Sequence, residues 1–395
     1  MILDVAVVGA GPAGSTLAAT LARGGASVAL IDASHPREKP CGGGFTGRAL
    51  SLVANLLPEP ALSGVDIRTV RFLDTPGGKH ALVDLDARHR LVVASRTVAD
   101  SALYEAALAA GATPVRARVT NVQLETPACV SLNDGRTLRA ATVVAADGAN
   151  SLVRKRAAQA FARADLSVAT GVYAHGMTSD EIVLEMVGNP PGYIWSFPRR
   201  DHLAIGICAQ ATDTGVDALR THLTAWLDQT GIARGSRLEP YSWPIPALTP
   251  EGFDQLRVAG PGWLAVGDAA GLVDPITREG LFFALQSALF AADALLSGRP
   301  AADITRHYQE RVREEIVEDL RIAATLKAGF FEPAFSHLLV SALASSARIR
   351  SVMADLVAGT QPYGTLKRRL IGTCELGLVW RLLREARRLP VLARQ

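Results

Sequence analysis

The sequence predicts an α/β protein, α+β overall, in which a Rossmann-like nucleotide-binding domain is interleaved with an antiparallel β-sheet domain and followed by a helical C-terminal region. Three observations lead there. The chain opens with an apolar strand, a glycine-rich turn and a helix, "ILDVAVVGAGPAGSTLAATLARGG". Two later apolar runs end in Asp147-Gly148 and Gly267-Asp268, the end of a strand where doubly wound sheets gather ligand groups. Between them, residues 156–249 alternate apolar and polar side chains in short runs, the period of half-buried strands.

In chain order, Ile2 to Val8 read as a buried strand because β-branched residues dominate. Pro12 to Arg23 read as a helix ending at Gly24-Gly25, and Ser27 to Ile31 as a second strand. The glycines of a GxGxxG pattern are Gly9, Gly11 and Gly14, with Pro12 and Ala13 between the last two. In such a unit the first permits a tight turn, the second lets a pyrophosphate approach, and the third lets helix pack on strand. The helix start offers free N–H groups to phosphates. Asp32, followed by Ala33, closes the second strand where an acid accepts hydrogen bonds from an adenosine ribose, which suits FAD or NAD and disfavours NADP.

The next unusual stretch is "KPCGGGFTGRAL". Gly42, Gly43 and Gly44 are costly to order, so something must lie close against that backbone, with Cys41 at its edge. Further on, "RTVAD" begins a helix at Arg96, and Thr142 to Ala146 form a buried strand before Asp147-Gly148. The runs "SVATGVYAHG", "EIVLEM", "YIWSFP" and "HLAIGICA" suggest an antiparallel sheet, with "VDALRTHLTAWLDQTG" as a helix upon it. Tyr193, Trp195 and Phe197 alternate and so share one face of a strand. Trp263 to Val266 form the strand before Gly267-Asp268, and Gly280-Leu281 begins a long helix. Residues 301–395 read as helical, broken near Glu332-Pro333 and Gln361-Pro362.

The GxGxxG, DG and GD motifs in this order resemble the flavoprotein monooxygenase superfamily of the hydroxybenzoate-hydroxylase type. The resemblance implies bound FAD, with Asp268 at the ribityl chain, Gly267, Gly271 and Pro275 in the loop beside the ring, and Arg96 reaching the phosphates. Within that superfamily, "KPCGGG" followed by "RAL" resembles the geranylgeranyl reductase family. A second signature agrees: Tyr193, Trp195, Phe197 and Pro198, then Gly206, match the family's YxWxFP…GxG stretch, with Cys208 replacing its second glycine. A third, "DPITREG", resembles P-x-T-G-E-G with Arg278 in place of a glycine. Both departures narrow or recharge the cavity. On this resemblance the glycine strip lies against the isoalloxazine ring, and Tyr193, Trp195, Phe197 and Gly206 bound a substrate cavity.

The function so implied is reduction of carbon–carbon double bonds in an apolar, isoprenoid-like substrate by FAD, with NADH or NADPH visiting as donor, since the chain has no second GxGxxG and no redox cysteine pair. Cys41 and Tyr193 are the candidate catalytic groups for proton delivery. The alternative is a flavin monooxygenase, hydroxylase or halogenase-like tailoring enzyme. Residues 1–65, 95–155 and 250–300 are assigned to the FAD domain, 66–94 and 156–249 to the substrate domain, and 301–395 to the helical region.

Bulk features exclude other classes. A net charge of +3 over 395 residues gives no nucleic-acid signature. The four cysteines form no CxxC and no metal-ligand spacing, which suits reduced thiols in the cytoplasm. No signal peptide and no spanning apolar run of about 18 residues is present. Residues 361–395 carry eight basic and two acidic side chains, making this basic C-terminal segment a candidate for peripheral contact with anionic lipid. None of the eight histidines pairs with a serine or carboxylate in a recognisable motif.

Overall fold

The computed structural model describes residues 2–57, 62–373, 375 and 377. Its first layer is an eight-stranded sheet. Five strands run parallel in the order Trp263–Ala265, Thr137–Ala145, Leu3–Val8, Val28–Ile31 and Thr113–Val115. Val5 to Val8 and Val28 to Ile31 are buried throughout, as central strands covered on both faces must be. Thr137–Ala145 is longer than the expected Thr142–Ala146 because its first half pairs antiparallel with Ala128–Leu132. The helices Pro12–Arg23, Arg96–Ala109 and Leu281–Leu296 pack together on this sheet.

The second layer is a seven-stranded sheet built from two excursions of the chain. Its order is Arg237–Pro246, Leu166–His175, His202–Gln210, Pro191–Pro198, Glu181–Gly188, Thr69–Asp74 and Lys79–Asp84. Side chains alternate as a period of two requires. Ile194, Leu203, Ile205 and Ile207 face one side, where Leu219, Leu223 and Trp226 of the helix Val216–Thr230 cover them. Trp195, Ala204, Cys208 and Tyr241 face the other. One pair breaks the antiparallel expectation: Glu181–Gly188 lies parallel to Thr69–Asp74. These strands come from different excursions, so no hairpin fixes their relative direction.

A small sheet of Gly44–Thr46, Leu91–Val93 and Val65–Asp66 sits where the two layers meet. Two breaks between helices of the C-terminal region fall at prolines. Pro333 opens Pro333–Ser345, and Pro362 precedes Tyr363–Gly372. Leu339, Leu343, Val352 and Met353 from this region pack on Val70, Phe72 and Val83. Cys374 and the arginines Arg381, Arg384, Arg387, Arg388 and Arg394 of the basic segment lie outside the described residues. Among the described residues no helix is long and apolar enough to cross a membrane.

Candidate active site

The two layers and the C-terminal helices enclose a cavity of about 250 Å³. Pro12, the Cys41–Gly44 strip, Asp268 and Gly280-Leu281 form one side of it. Tyr193, Trp195 and Phe197 form the aromatic wall, and Phe330, Met353, Leu356 and Val357 the roof.

The wall is set by the strand Pro191–Pro198. The rings of Tyr193 and Trp195 lie 5.5 Å apart, and Tyr193 stacks on Phe331 beyond them. The Tyr193 hydroxyl donates to the Thr277 carbonyl at 2.8 Å. Burial, reinforced by Cys208, raises its pKa well above the ordinary phenol value. The hydroxyl therefore anchors the 274–280 loop and is a poor proton donor. Gly206 stands opposite Trp195, and a Cβ there would lie 2.3 Å from the indole. It seats Trp195 from behind and does not line the cavity, contrary to the expectation.

The glycine strip lines the cavity and also meets protein neighbours of its own. A Cβ on Gly42 or Gly44 would lie 3.1 or 3.3 Å from the ring of Phe197. Gly43 has φ +79°, and its Cβ would lie 2.3 Å from the Ala94 carbonyl oxygen. The aromatic wall and the small sheet thus exclude side chains here before any ligand is considered. Main-chain groups complete the turn: Gly43 donates to the Cys41 sulfur at 3.3 Å, and Ala94 donates to the Gly43 carbonyl at 3.0 Å.

An ion pair clamps this strip in place. Arg199, buried to 1 % exposure, pairs with Glu38 and donates to the Cys41 carbonyl at 2.7 Å. Glu38 also accepts from the Ser95 hydroxyl and the Arg96 and Thr97 amides. Burial would raise the Glu38 pKa, but Arg199 and Ser95 prevail and hold it at about 2. Arg96 in turn forks onto Asp100 at 2.8 and 2.7 Å. Burial opposes its charge, while Asp100 and then Cys41 raise its pKa. The Cys41 sulfur therefore faces one amide and one guanidinium. Asp100 thus holds Arg96 in place where it lines the cavity.

At the first turn, a Cβ on Gly14 would lie 1.8 Å from the Gly9 carbonyl oxygen, and one on Gly9 would lie 2.3 Å from that of Ala146. Gly11 is different, since its Cβ would meet only His35, at 3.7 Å. Asp32 accepts from Ala10 at 3.0 Å and from the Ser34 and His35 amides at 2.8 and 2.9 Å. His35 lies between Asp32 and Asp100, 3.2 Å from each.

Of the expected cofactor residues, Pro12, Cys41, Gly42, Gly43, Gly44, Arg96, Asp268, Gly280 and Leu281 line the cavity. Gly9 and Gly11 form the turn behind it, Ala13 and Gly14 begin the helix that follows, Asp32 and Ala33 come after the second strand, and Gly148, Gly267, Gly271 and Pro275 lie in flanking turns. Asp147 caps the helix Leu152–Ala157 through Leu152 at 2.7 Å, with its other carboxylate oxygen buried and unpartnered. A flavin dinucleotide suits these residues on two counts. The helices starting at Pro12 and Leu281 carry no side-chain cap, so their first-turn N–H groups are available to phosphate and carbonyl oxygens. Space also opens at Gly11, where a pyrophosphate would approach.

Several groups escaped the sequence reading because their partners are remote. Lys39 pairs with Asp268 at 2.9 Å. Glu279 lines the cavity, accepts from Thr46 at 3.1 Å and pairs with Arg48. Burial raises its pKa despite Arg48. Histidines that belong to no recognisable sequence motif also meet carboxylates, as His89 does Asp355 at 2.7 Å. Among the described residues no cluster could hold a metal ion.

Comparison with known proteins gives the family and the fold. Residues 2–214 match the family described as FAD binding domain. A menaquinone reductase from Mycolicibacterium smegmatis is 30% identical over 88% of this chain and 90% of its own length. A digeranylgeranylglycerophospholipid reductase from Methanothrix thermoacetophila is 30% identical over 84% of this chain and 88% of its own. The crystal structure of a geranylgeranyl bacteriochlorophyll reductase-like protein from Thermoplasma acidophilum shares the fold, with a TM-score of 0.80 at 23% identity over 94% of this chain and 99% of that one.

Proposed function

Because this chain belongs to the FAD binding domain family and is an FAD-dependent oxidoreductase of the geranylgeranyl reductase family, we propose that it reduces carbon–carbon double bonds in an apolar, isoprenoid-like substrate, with NADH or NADPH as visiting electron donor. The observation that carries this reading is the cavity itself: an aromatic wall and an apolar roof facing the glycine strip and two uncapped helix starts. Such a cavity holds a hydrocarbon by shape and keeps water out. Two relatives are named reductases of menaquinone and of a digeranylgeranylglycerophospholipid, which favours a long apolar substrate.

FAD, when bound, supplies a hydride equivalent to the substrate carbon. The first turn and Asp32 would hold the adenosine end, and Asp268 with the Leu281 helix start would hold the ribityl and ring end. The Glu38–Arg199 pair fixes Cys41 beside the cavity. An isolated alkene accepts hydride poorly without a proton. We assign its delivery to the Cys41 thiol or to Glu279, whose pKa burial raises. We further propose a cytoplasmic protein whose basic C-terminal segment makes peripheral contact with anionic lipid.

The test is anaerobic turnover of the FAD-loaded protein with NADH or NADPH and a polyprenyl substrate. Bleaching of the flavin and a product heavier by two hydrogen atoms are expected. A product heavier by one oxygen atom, formed only in air, would replace reduction with hydroxylation.

A further inference from the structure

Arg278 is the one described residue other than glycine with a positive φ, +59°. A side chain disfavours that conformation, which persists where the surroundings over-determine it and which clusters at functional sites. Arg278 lines the cavity. Its Nη2 donates to Ser167 Oγ at 2.7 Å, while Nε and Nη1 are enclosed and have no acceptor.

The nearby carboxylates are engaged elsewhere. Glu279 is taken by Arg48 and Thr46. Asp274 accepts from the Ile276 and Thr277 amides and from the Tyr363 hydroxyl. Ser167 leads on to Gln210 at 3.3 Å, and Gln210 receives the ammonium of Lys327. A second cation thus stands at the far end of this chain of contacts. Among the described residues no carboxylate pairs with Arg278. A guanidinium with two enclosed nitrogens and no counter-charge is disfavoured, and the facing strand and roof are hydrocarbon and aromatic.

We propose that Arg278 receives the anionic head of an otherwise apolar substrate, a carboxylate or phosphate carried at one end of a hydrocarbon chain. This rests on the apolar-cavity reading above and sharpens it. The charged end would then lie inside, beside the Thr277 carbonyl that Tyr193 holds, with the tail running under the helical roof. A guanidinium binds either anion through charge-assisted hydrogen bonds.

The test measures equilibrium binding of three probes sharing one tail, laurate, dodecyl phosphate and dodecanol, to the FAD-loaded protein. At least one anion should bind about tenfold or more tighter than dodecanol, and the tighter of the two identifies the head group. Arg278→Gly, which suits the left-handed backbone, should bring both anions to the level of dodecanol and leave dodecanol unchanged. Arg278→Asn, also tolerant of that backbone, should repeat this. Equal binding of anions and alcohol by the parent protein, or equal loss of all three in both variants, overturns the proposal but not the apolar cavity. Failure of every probe to bind overturns both.

Discussion

Two glycine-rich turns flank the cavity and look interchangeable in sequence, GAGPAG at 9–14 and GGG at 42–44. Their neighbours differ in kind. Gly9 and Gly14 press main chain against main chain inside one layer. Gly42 faces a single aromatic side chain, Phe197, brought from the other sheet, and Gly44 faces the same ring together with Leu91. The first turn cannot relax because carbonyl groups in a sheet have nowhere to go. The second depends on a ring that mutation can remove. A run of glycines reports close approach, but not what approaches.

The comparison is broken or sharpened by substitution, and the largest effect belongs to the first turn. Gly14→Ala places a Cβ 1.8 Å from the Gly9 oxygen, so a loss above about 4 kcal/mol is expected. The variant should yield no soluble, flavin-coloured protein, and a normal flavin spectrum would refute this account of the turn. Gly43→Ala combines a positive φ with a main-chain neighbour and should cost about 3 kcal/mol in urea unfolding. Gly42→Ala meets only the Phe197 ring, so about 1–2 kcal/mol is expected. That loss should shrink by at least half when Phe197→Leu is added, a coupling that a double-mutant cycle measures. Zero coupling would return the strip to the flavin as its cause.

The smallest effect is in pH dependence, where the turns should move in opposite directions. At the first, burial lowers the His35 pKa, but Asp100 and Asp32 outweigh it and raise it above 6.5. The charge on His35 therefore stabilises fully below about pH 6.5 and is lost as pH rises through the raised value. At the second, Glu38 is held at about 2, so its contribution is present above its ordinary 4.5 and lost as pH falls toward 2. His35→Gln should flatten the alkaline fall in melting temperature, and Glu38→Gln the acid one. The same pH slopes in variants and parent would remove both assignments.

What the sequence made legible follows the same line. The strand–turn–helix at residues 3–23 was readable because every determinant is local, and so were the helix breaks at Pro333 and Pro362. The alternation of Tyr193, Trp195 and Phe197 located the wall. The triple glycine announced a tight place without naming Phe197, whose approach depends on how two sheets meet. The Glu38–Arg199 and Lys39–Asp268 pairs join residues far apart in the chain, and no local spacing encodes them. Arg278 was visible as a departure from a pattern, but its unpartnered nitrogens emerged only with three-dimensional neighbours.

The cavity roof has a consequence of its own. Phe330, Met353, Leu356 and Val357 all come from one uninterrupted stretch near the end of the chain, whereas every glycine and carboxylate assigned to the cofactor precedes Leu281. Ribosomal synthesis would therefore finish the nucleotide cradle before any lid over the hydrocarbon exists. Evolution could likewise exchange that stretch as a cassette, changing the length and shape of the molecule accepted while the redox machinery is inherited untouched.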